Sequence, residues 1–321
     1  MITTDIFASV RHELGAVEAK LREIAPNQHE ALTGATEHLL ASGGKRVRPA
    51  LALLAASAFG AETQRAVALA AAVEMLHTAT LVHDDLIDGS LLRRGIPTLN
   101  AQWTPAATVL TGDYLFARAA SLAAETDSVE VMDVFARTLM VIVNGEINQL
   151  FISRGRASRD DYYRRIYAKT ASMFALATEA GAILGAAGDS AIAAMRDYGK
   201  EVGMAFQIVD DILDYVGDEA HVGKPVGNDL RQGLVTLPAL YFLESHPDDP
   251  HMAAILNGRS GDPAQVAVVV DSIRASGAVN EAMAEARRFV AKGRDALSAV
   301  PDGLQRDALD ALADYVVRRD L

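Results

Sequence analysis

Two short acidic stretches of similar sequence decide the fold and the chemistry open to this chain. Leu81–Asp88 reads LVHDDLID and Ile208–Asp214 reads IVDDILD, so Asp-Asp-x-x-Asp occurs twice, each time after a run of apolar residues. On an α-helix, residues four apart share a face, which aligns Asp84 with Asp88 and likewise the outer pair of the second motif. At about 6 Å and an effective dielectric constant of about 20, each like-charged pair costs roughly 3 kcal/mol. A solvated acidic helix end would explain one motif, whereas the repetition favours bound cations.

The composition favours an all-α fold. A length of 321 residues suits one large domain or two ordinary ones. Half of the residues are hydrophobic, 6% are aromatic, and Ala and Leu are abundant, which favours helices over a sheet. No run of alternating β-branched residues is bounded by turn residues. We therefore expect a single all-helical domain over residues 1–321.

Net charge and cysteine content limit the partners and the chemistry. The chain carries 42 acidic and 30 basic residues, a net charge of −12 without a long basic stripe, which argues against nucleic acid as a partner. The absence of cysteine excludes disulfides, zinc–thiolate sites and thiol chemistry. Met1–Ala25 is polar and unlike a signal peptide. The longest uncharged run is about Pro49–Ala61, short of the roughly 20 residues of a membrane span, so we expect a soluble, cytoplasmic protein.

The helix that leads to the first motif is predicted to be central. Arg65–Val82 is apolar nearly all round, apart from Glu74 and His77, as in helices packed on every side. Helical spacing puts His77 on the stripe of Asp84. A histidine on a buried helix is more often a satisfied core residue than a ligand, but its alignment with the carboxylates favours a function.

Short basic clusters beside glycines predict anion sites. Lys45 and Arg48 flank a predicted helix start, whose N–H groups would bind an anion, although a solvated turn has the same composition. Arg93 and Arg94 follow the first motif and could pair with its carboxylates or hold an anion. Lys224 lies in a Gly-rich segment after the second motif, where a movable cation would suit phosphate.

Further polar residues point toward the second motif. The predicted helix Tyr162–Leu184 contains Lys169 and Thr170, both possible inward groups. Gln207 lies three residues before Asp210, so it faces the same way.

Together these residues predict a site for a diphosphate. Sparse carboxylates with room for water and phosphate suit magnesium. The metals would hold the diphosphate, and Lys and Arg would neutralise the remaining charge. The apolar helical wall behind them suits a hydrocarbon tail.

Over nearly its whole length the chain resembles the trans-polyprenyl diphosphate synthases. The motifs that carry the resemblance are GGKRVRP at 43–49, EMLH at 74–77, HDDLID at 83–88, RRG at 93–95, GD at 112–113, KT at 169–170, FQIVDDILD at 206–214 and GKPVGND at 223–229. The closest likeness is to long-chain members such as octaprenyl diphosphate synthase, including Gly227–Leu230 and Val316–Asp320.

The resemblance implies a helical bundle of the isoprenoid synthase type, built around a central cavity, that condenses isopentenyl diphosphate onto an allylic diphosphate such as farnesyl diphosphate. Three Mg²⁺ ions are implied, with Asp84, Asp88 and Asp210 as their ligands. Asp85 also belongs to the implied metal site and would support these ligands, as would Asp211 and Asp214. The allylic diphosphate would be bound by Arg93, Lys169 and Lys224. The isopentenyl diphosphate would be bound by Lys45, Arg48, His77 and Arg94. Thr170 and Gln207 would stabilise the allylic cation through their oxygens.

The resemblance also bears on product and partners. Short-product relatives carry a bulky aromatic residue five positions before the first Asp, and here that position is Ala79. We expect a product longer than geranylgeranyl, around the octaprenyl length, with a geranylgeranyl product as the alternative. A homodimer and transient membrane contact for product release are also implied. The alternative functions are a terpene cyclase, a head-to-head synthase and a non-catalytic subunit of a two-chain synthase.

Overall fold

The computed structural model describes residues 6–23, 30–41, 45–93, 95–151, 158–216, 226–256 and 263–318. These residues are nearly all helical, which confirms the all-α prediction. The strands among them form one antiparallel ribbon, in which β1 (Leu92–Arg93) pairs with β2 (Ile96–Pro97). Pro26, where the sequence predicts a break between two helices, lies outside the described residues.

The helices are numbered in chain order. Those of the first half are α1 (Arg11–Arg22), α2 (Glu30–Ala41), α3 (Val47–Ala58), α4 (Thr63–Ile87), α5 (Leu99–Gln102), α6 (Pro105–Ala124) and α7 (Val129–Phe151). Those of the second half are α8 (Arg159–Ile166), α9 (Ser172–Leu184), α10 (Asp189–Val216), α11 (Asn228–Arg231), α12 (Leu237–Ser245), α13 (Pro250–Ala254), α14 (Pro263–Ala275), α15 (Ala278–Ala296) and α16 (Leu304–Arg318). A π-helical turn, Tyr167–Ala171, joins α8 to α9.

The chain divides into two compact units. The first comprises residues 1–138, 173–199 and 296–311, and the second comprises residues 139–172, 200–295 and 312–321. The single domain expected over residues 1–321 stays a prediction.

In the first unit α4 is the central helix, as predicted. Nearly every side chain from Ala66 to Asp85 is buried, and α4 packs against α1, α3 and α6. The helix is apolar and long enough to cross a membrane by composition alone, but 83% of its most apolar window is buried inside the protein. Small side chains, above all the alanines of residues 66–72, allow the neighbouring helices to approach closely.

Local sequence signals explain where the helices of the first unit begin. Thr104 caps α6 by accepting a hydrogen bond from the Ala107 N–H at 3.3 Å, and Pro105 occupies the first turn. Pro49 lies in the first turn of α3, as the sequence predicts.

The second unit is built around the second half of α10. Ile208, Val209, Ile212 and Tyr215 are completely buried on this segment. The Tyr215 hydroxyl lies 3.1 Å from the Thr236 hydroxyl, so the buried phenol has a polar partner. The part of the chain from Pro263 to Arg318 contains the helices α14, α15 and α16.

Candidate active site

The first acidic motif ends α4. Asp84 and Asp85 are buried, whereas Asp88 is exposed just after the last residue of the helix. The Asp88 N–H donates to the Asp84 carbonyl at 2.8 Å, so Asp84 and Asp88 lie one helical turn apart on one face, as predicted.

Asp85 is held by an arginine from the following ribbon. The Arg93 Nε lies 3.0 Å from both oxygens of Asp85, and one terminal nitrogen lies 2.7 Å from Oδ1. This two-pronged geometry is the strongest that a guanidinium and a carboxylate can form. Arg93 therefore lies beside the motif, as predicted, and its partner is the middle carboxylate. Arg94 lies outside the described residues.

The start of α3 carries two of the four residues predicted to bind isopentenyl diphosphate. Lys45 is exposed, and the Arg48 guanidinium lies over the Phe174 ring, 5.2 Å from its centroid. His77, on α4, is half-buried. Three of the four predicted residues therefore lie in the first unit.

The residue that shapes this helix start, Arg46, was missed from the sequence. It has a left-handed backbone with φ of 48°, and its side chain bonds the carboxylates of Glu18, at 2.5 Å, and Glu74. Glu74 is buried, so Arg46 neutralises a charge that would otherwise be costly inside the core. The one available signal was Glu74 itself, a lone Glu in the apolar stretch of α4.

Gly112, part of the GD motif, allows His83 to sit against α6. A Cβ at position 112 would lie 2.1 Å from the His83 Nε2, so a larger residue would force the His83 ring to move. The same nitrogen lies 3.1 Å from the Val109 carbonyl and 3.6 Å from Asp113 Oδ1. The residue that precedes the first motif is thus fixed by α6.

The second motif lies on α10 in the second unit. Asp211 is buried, and both of its oxygens accept hydrogen bonds: Oδ2 from the Tyr162 hydroxyl at 2.7 Å and Oδ1 from the Gln207 amide at 2.8 Å. Burial, followed by the charge of Asp229, raises the pKa of Asp211 to about 8. A cation bound at the neighbouring Asp210 would act in the opposite direction, toward the ionised form.

Thr170 joins this group through Gln207. The Thr170 hydroxyl donates to the Gln207 side-chain oxygen at 2.7 Å. Thr170 and Lys169 both lie on the π-helical turn, a distortion that often marks functional sites. The sequence predicts a continuous helix here, and the structure corrects this local geometry by placing both residues on a π-helical turn.

A glycine and a glutamate of α7 support the π-helical turn. The Lys169 ammonium lies 3.3 Å from the Glu146 carboxylate. A Cβ on Gly145 would lie 2.4 Å from the Ala168 Cβ, so the turn contacts α7 at a point where only glycine fits.

Asp214 binds backbone groups. Its two oxygens accept the N–H groups of Asn228 and Asp229, each at 3.1 Å, and its carbonyl accepts the Gly227 N–H at 2.8 Å. Gly227 has a φ of 73°, which glycine adopts readily. Asp214 thus anchors the chain after the Gly-rich segment, while Lys224 lies outside the described residues.

The carboxylates present fit a hard divalent cation. Among the described residues no group of three or more His, Asp and Glu side chains is already gathered as a metal site. Magnesium is commonly held by one or two carboxylates, with water and substrate phosphate completing its shell. Asp84 with Asp88, and Asp210 on α10, match that donor chemistry.

Comparison with known proteins gives a consistent result. A sequence model of the polyprenyl synthetase family matches residues 29–273. The chain is 38% identical over 316 residues to heptaprenyl diphosphate synthase component 2 of Geobacillus stearothermophilus, covering 98% of both chains. It is 37% identical over 311 residues to a short chain isoprenyl diphosphate synthase of Methanothermobacter thermautotrophicus, covering 95% of this chain and 94% of that one. It is 35% identical over 316 residues to octaprenyl diphosphate synthase of Escherichia coli, covering 96% of both.

A solved structure is similar throughout. Polyprenyl synthase from Caulobacter crescentus CB15, complexed with calcium and isoprenyl diphosphate, matches with a TM-score of 0.94 and 37% identity over 99% of this chain and 98% of that one. The three sequence relatives differ in the product length that their names give while their identities are nearly equal. Overall likeness therefore does not determine the product length.

Proposed function

This chain belongs to the polyprenyl synthetase family and is a prenyltransferase, and we propose that it extends an allylic diphosphate, such as farnesyl diphosphate, with isopentenyl diphosphate to an all-trans product of about octaprenyl length. The observation that carries the proposal is the π-helical turn. It places a cation, Lys169, next to a hydroxyl, Thr170, that is bonded to the Gln207 amide. Ionisation of an allylic diphosphate requires a cation that binds the diphosphate and, beside it, neutral oxygens that stabilise the carbocation, and the turn supplies both.

The metal supplies charge stabilisation for the departing diphosphate. The family is metal-dependent, and one solved relative holds calcium with isoprenyl diphosphate. We propose magnesium, with three ions, held by Asp84, Asp88 and Asp210. Asp85 would act through Arg93, and Asp211 and Asp214 would act through the groups that they bind.

The remaining residues divide between two diphosphates in this proposal. Arg93, Lys169 and Lys224 hold the allylic diphosphate, and Lys45, Arg48, His77 and Arg94 hold isopentenyl diphosphate. After the allylic C–O bond breaks, the Thr170 and Gln207 oxygens stabilise the cation. The isopentenyl double bond then attacks it, and the released diphosphate accepts the proton that is lost.

Product length is proposed from α4. A tail that runs back along α4 from Asp84 passes Ala79, Leu76 and Val73, all completely buried and of modest size. One helical turn rises about 5.4 Å, roughly one extended isoprene unit. Replacing Ala79 with Tyr should shorten the product to geranylgeranyl or farnesyl length. An unchanged product would show that the tail does not pass Ala79, and an equally short wild-type product would favour the geranylgeranyl alternative.

We also propose that the protein is a homodimer. The second half of α7 exposes an apolar stripe at helical spacing, Met140, Val143, Ile147 and Phe151, with Phe151 81% exposed. A contiguous exposed apolar stripe is typical of a protein–protein contact. Ile147→Asp should convert a dimer into a monomer in sedimentation equilibrium. A wild-type monomer would instead favour the two-chain alternative, since one relative is named as a component.

One assay tests the function as a whole. The purified chain is incubated with farnesyl and isopentenyl diphosphates and magnesium, and the products are separated by length. Elongated diphosphates support the proposal. A cyclised hydrocarbon would favour a terpene cyclase, a head-to-head product would favour that class of synthase, and no turnover would favour a non-catalytic subunit. Cell fractionation, with and without product formation, tests the proposed cytoplasmic location and the transient membrane contact.

A further inference from the structure

Four side chains of the second unit form one continuous chain of hydrogen bonds. Tyr162 and Gln207 each donate to one oxygen of Asp211, and Thr170 donates to the oxygen of Gln207, with distances of 2.7 Å, 2.8 Å and 2.7 Å. Tyr162, Thr170 and Asp211 are each at most 5% exposed. Water therefore has little access to these three side chains, whereas Gln207 is half-buried.

The chemistry of the groups gives the relay a direction. In the structure both oxygens of Asp211 accept, one from the Tyr162 hydroxyl and the other from the Gln207 NH₂ group, which therefore points toward Asp211. The opposite end of the amide, its oxygen, then faces Thr170. The single proton of the Thr170 hydroxyl is committed to that oxygen, and what remains for a substrate is the lone-pair side of the hydroxyl.

Tyr162 blocks the reverse arrangement. Within the described part of the chain, the hydrogen bond that the structure records for the Tyr162 phenol goes to Asp211. If the group at position 211 turned a donor toward Tyr162, the buried phenol proton would lose its acceptor, which is unfavourable.

We propose that Asp211 and Tyr162 are positioning residues that set the direction of this relay, so that Thr170 presents oxygen lone pairs, and not its proton, to the allylic cation. This inference rests on the assignment of Thr170 and Gln207 to the cation in the proposed function. A proton pointing at a developing positive charge would repel it, whereas a lone pair stabilises it.

Asp211→Asn tests the direction. The oxygen of the new amide would accept from Tyr162, and its NH₂ group would donate to the Gln207 oxygen. The Gln207 amide would therefore be flipped, with its own NH₂ group donating to the Thr170 hydroxyl. We expect kcat to fall by about 10- to 100-fold, with both diphosphate KM values within about 3-fold, because the proposed function assigns both diphosphates to residues outside the relay. The matched control is Glu285→Gln, which removes the same charge from another tyrosine–carboxylate pair, with Tyr163 at 3.1 Å, and should leave kcat within about 2-fold.

A double variant should restore the direction. In Gln207→Glu with Asp211→Asn, the amide and the carboxylate exchange places and the net charge is unchanged. The carboxylate now at position 207 would accept from both the amide at position 211 and the Thr170 hydroxyl, so the hydroxyl keeps its orientation. We expect kcat to return to within about 3-fold of wild type. A folded double variant as slow as Asp211→Asn, or slower, would overturn the inference, as would an Asp211→Asn kcat within about 2-fold of wild type.

A further experiment distinguishes a failure of the relay from a failure of the proposed function. In a Thr170→Val background the hydroxyl is gone, so Asp211→Asn should cost less than about 2-fold further in kcat. A full additional loss would mean that Asp211 acts by another route, and the relay is wrong. An unchanged kcat for Thr170→Val alone would instead remove Thr170 from the proposed function. If Asp211→Asn does not fold, the double variant, in which every relay donor meets an acceptor, decides the question.

Discussion

The two acidic motifs have the same spacing, but their middle carboxylates have different surroundings. Asp85 is paired with Arg93, whose side chain is 31% exposed, whereas Asp211 is enclosed with Tyr162 and Gln207. In the first motif the partner is a charged group within reach of water, and in the second it is two neutral donors in the core. Equal spacing therefore does not imply equal roles for the middle residue.

The partners come from different distances along the chain. Arg93 follows Asp85 by eight residues, placed by the β1–β2 ribbon, whereas Tyr162 precedes Asp211 by 49 residues and arrives on α8. The outer residues differ as well, since Asp88 is exposed and Asp214 binds backbone N–H groups. The middle and outer carboxylates of the two motifs therefore differ in their surroundings, whereas we expect the first carboxylates to share one role as metal ligands.

The largest expected effect concerns the first carboxylates. Asp84→Ala and Asp210→Ala should each lower kcat by about a thousandfold or more at saturating magnesium, because each removes a metal ligand. The fold should persist, and the melting temperature without ligand should stay equal or rise, since like-charge repulsion is removed. Steady-state kinetics and thermal unfolding check this. Near-normal elongation by either variant would contradict the equivalence of the two residues.

The middle carboxylates should differ in stability. Asp211→Ala leaves the buried Tyr162 hydroxyl and the half-buried Gln207 amide without their shared acceptor, so we expect the free energy of unfolding to fall by about 2–4 kcal/mol. Asp85→Ala leaves Arg93, which can turn to water, and should cost less than about 1 kcal/mol. Urea unfolding without metal measures both. Equal losses would show that the two pairs are energetically alike.

The sequence predicted the helical fold and the candidate site residues, but it predicted few of the contacts that those residues make. Helical periodicity predicted the all-α class, and the apolar composition of α4 predicted that this helix is buried. Both predictions succeed because the burial of a helix follows from the local order of its polar and apolar residues. The contacts of Arg46 with Glu18 and of Tyr162 with Asp211 join residues far apart in sequence, which no local pattern reports. The π-helical turn at Tyr167–Ala171 was missed as well, and its contacts with Gly145 and Glu146 of α7 also join residues distant in sequence.

That contact can be tested through Gly145. Gly145→Ala would put a methyl group 2.4 Å from the Ala168 Cβ and displace the turn that carries Lys169 and Thr170. We expect kcat to fall by about 10-fold, since small misplacements are costly at a reacting centre. Gly15→Ala is the matched control on α1, where a Cβ meets nothing within 4 Å, and it should raise stability by up to about 1 kcal/mol. Gly145→Ala combined with Ala168→Gly should recover activity, and failure to do so would mean that the overlap is not the cause.

The smallest expected effects concern the third carboxylates, and here the two motifs should differ in sign. Asp214→Asn keeps one acceptor oxygen and turns an NH₂ group toward the second backbone N–H, so one of the bonds to Asn228 and Asp229 is lost. We expect about 1 kcal/mol lower stability without metal. Asp88 lies at the C-terminal end of α4, where its charge is repelled by the negative end of the helix dipole. Asp88→Asn should therefore raise the free energy of unfolding by about 0.3 kcal/mol. Urea unfolding gives both signs, and faster amide exchange at Asn228 and Asp229 in Asp214→Asn alone would locate the loss. Changes of the same sign would mean that these two carboxylates, unlike the middle pair, are equivalent without metal.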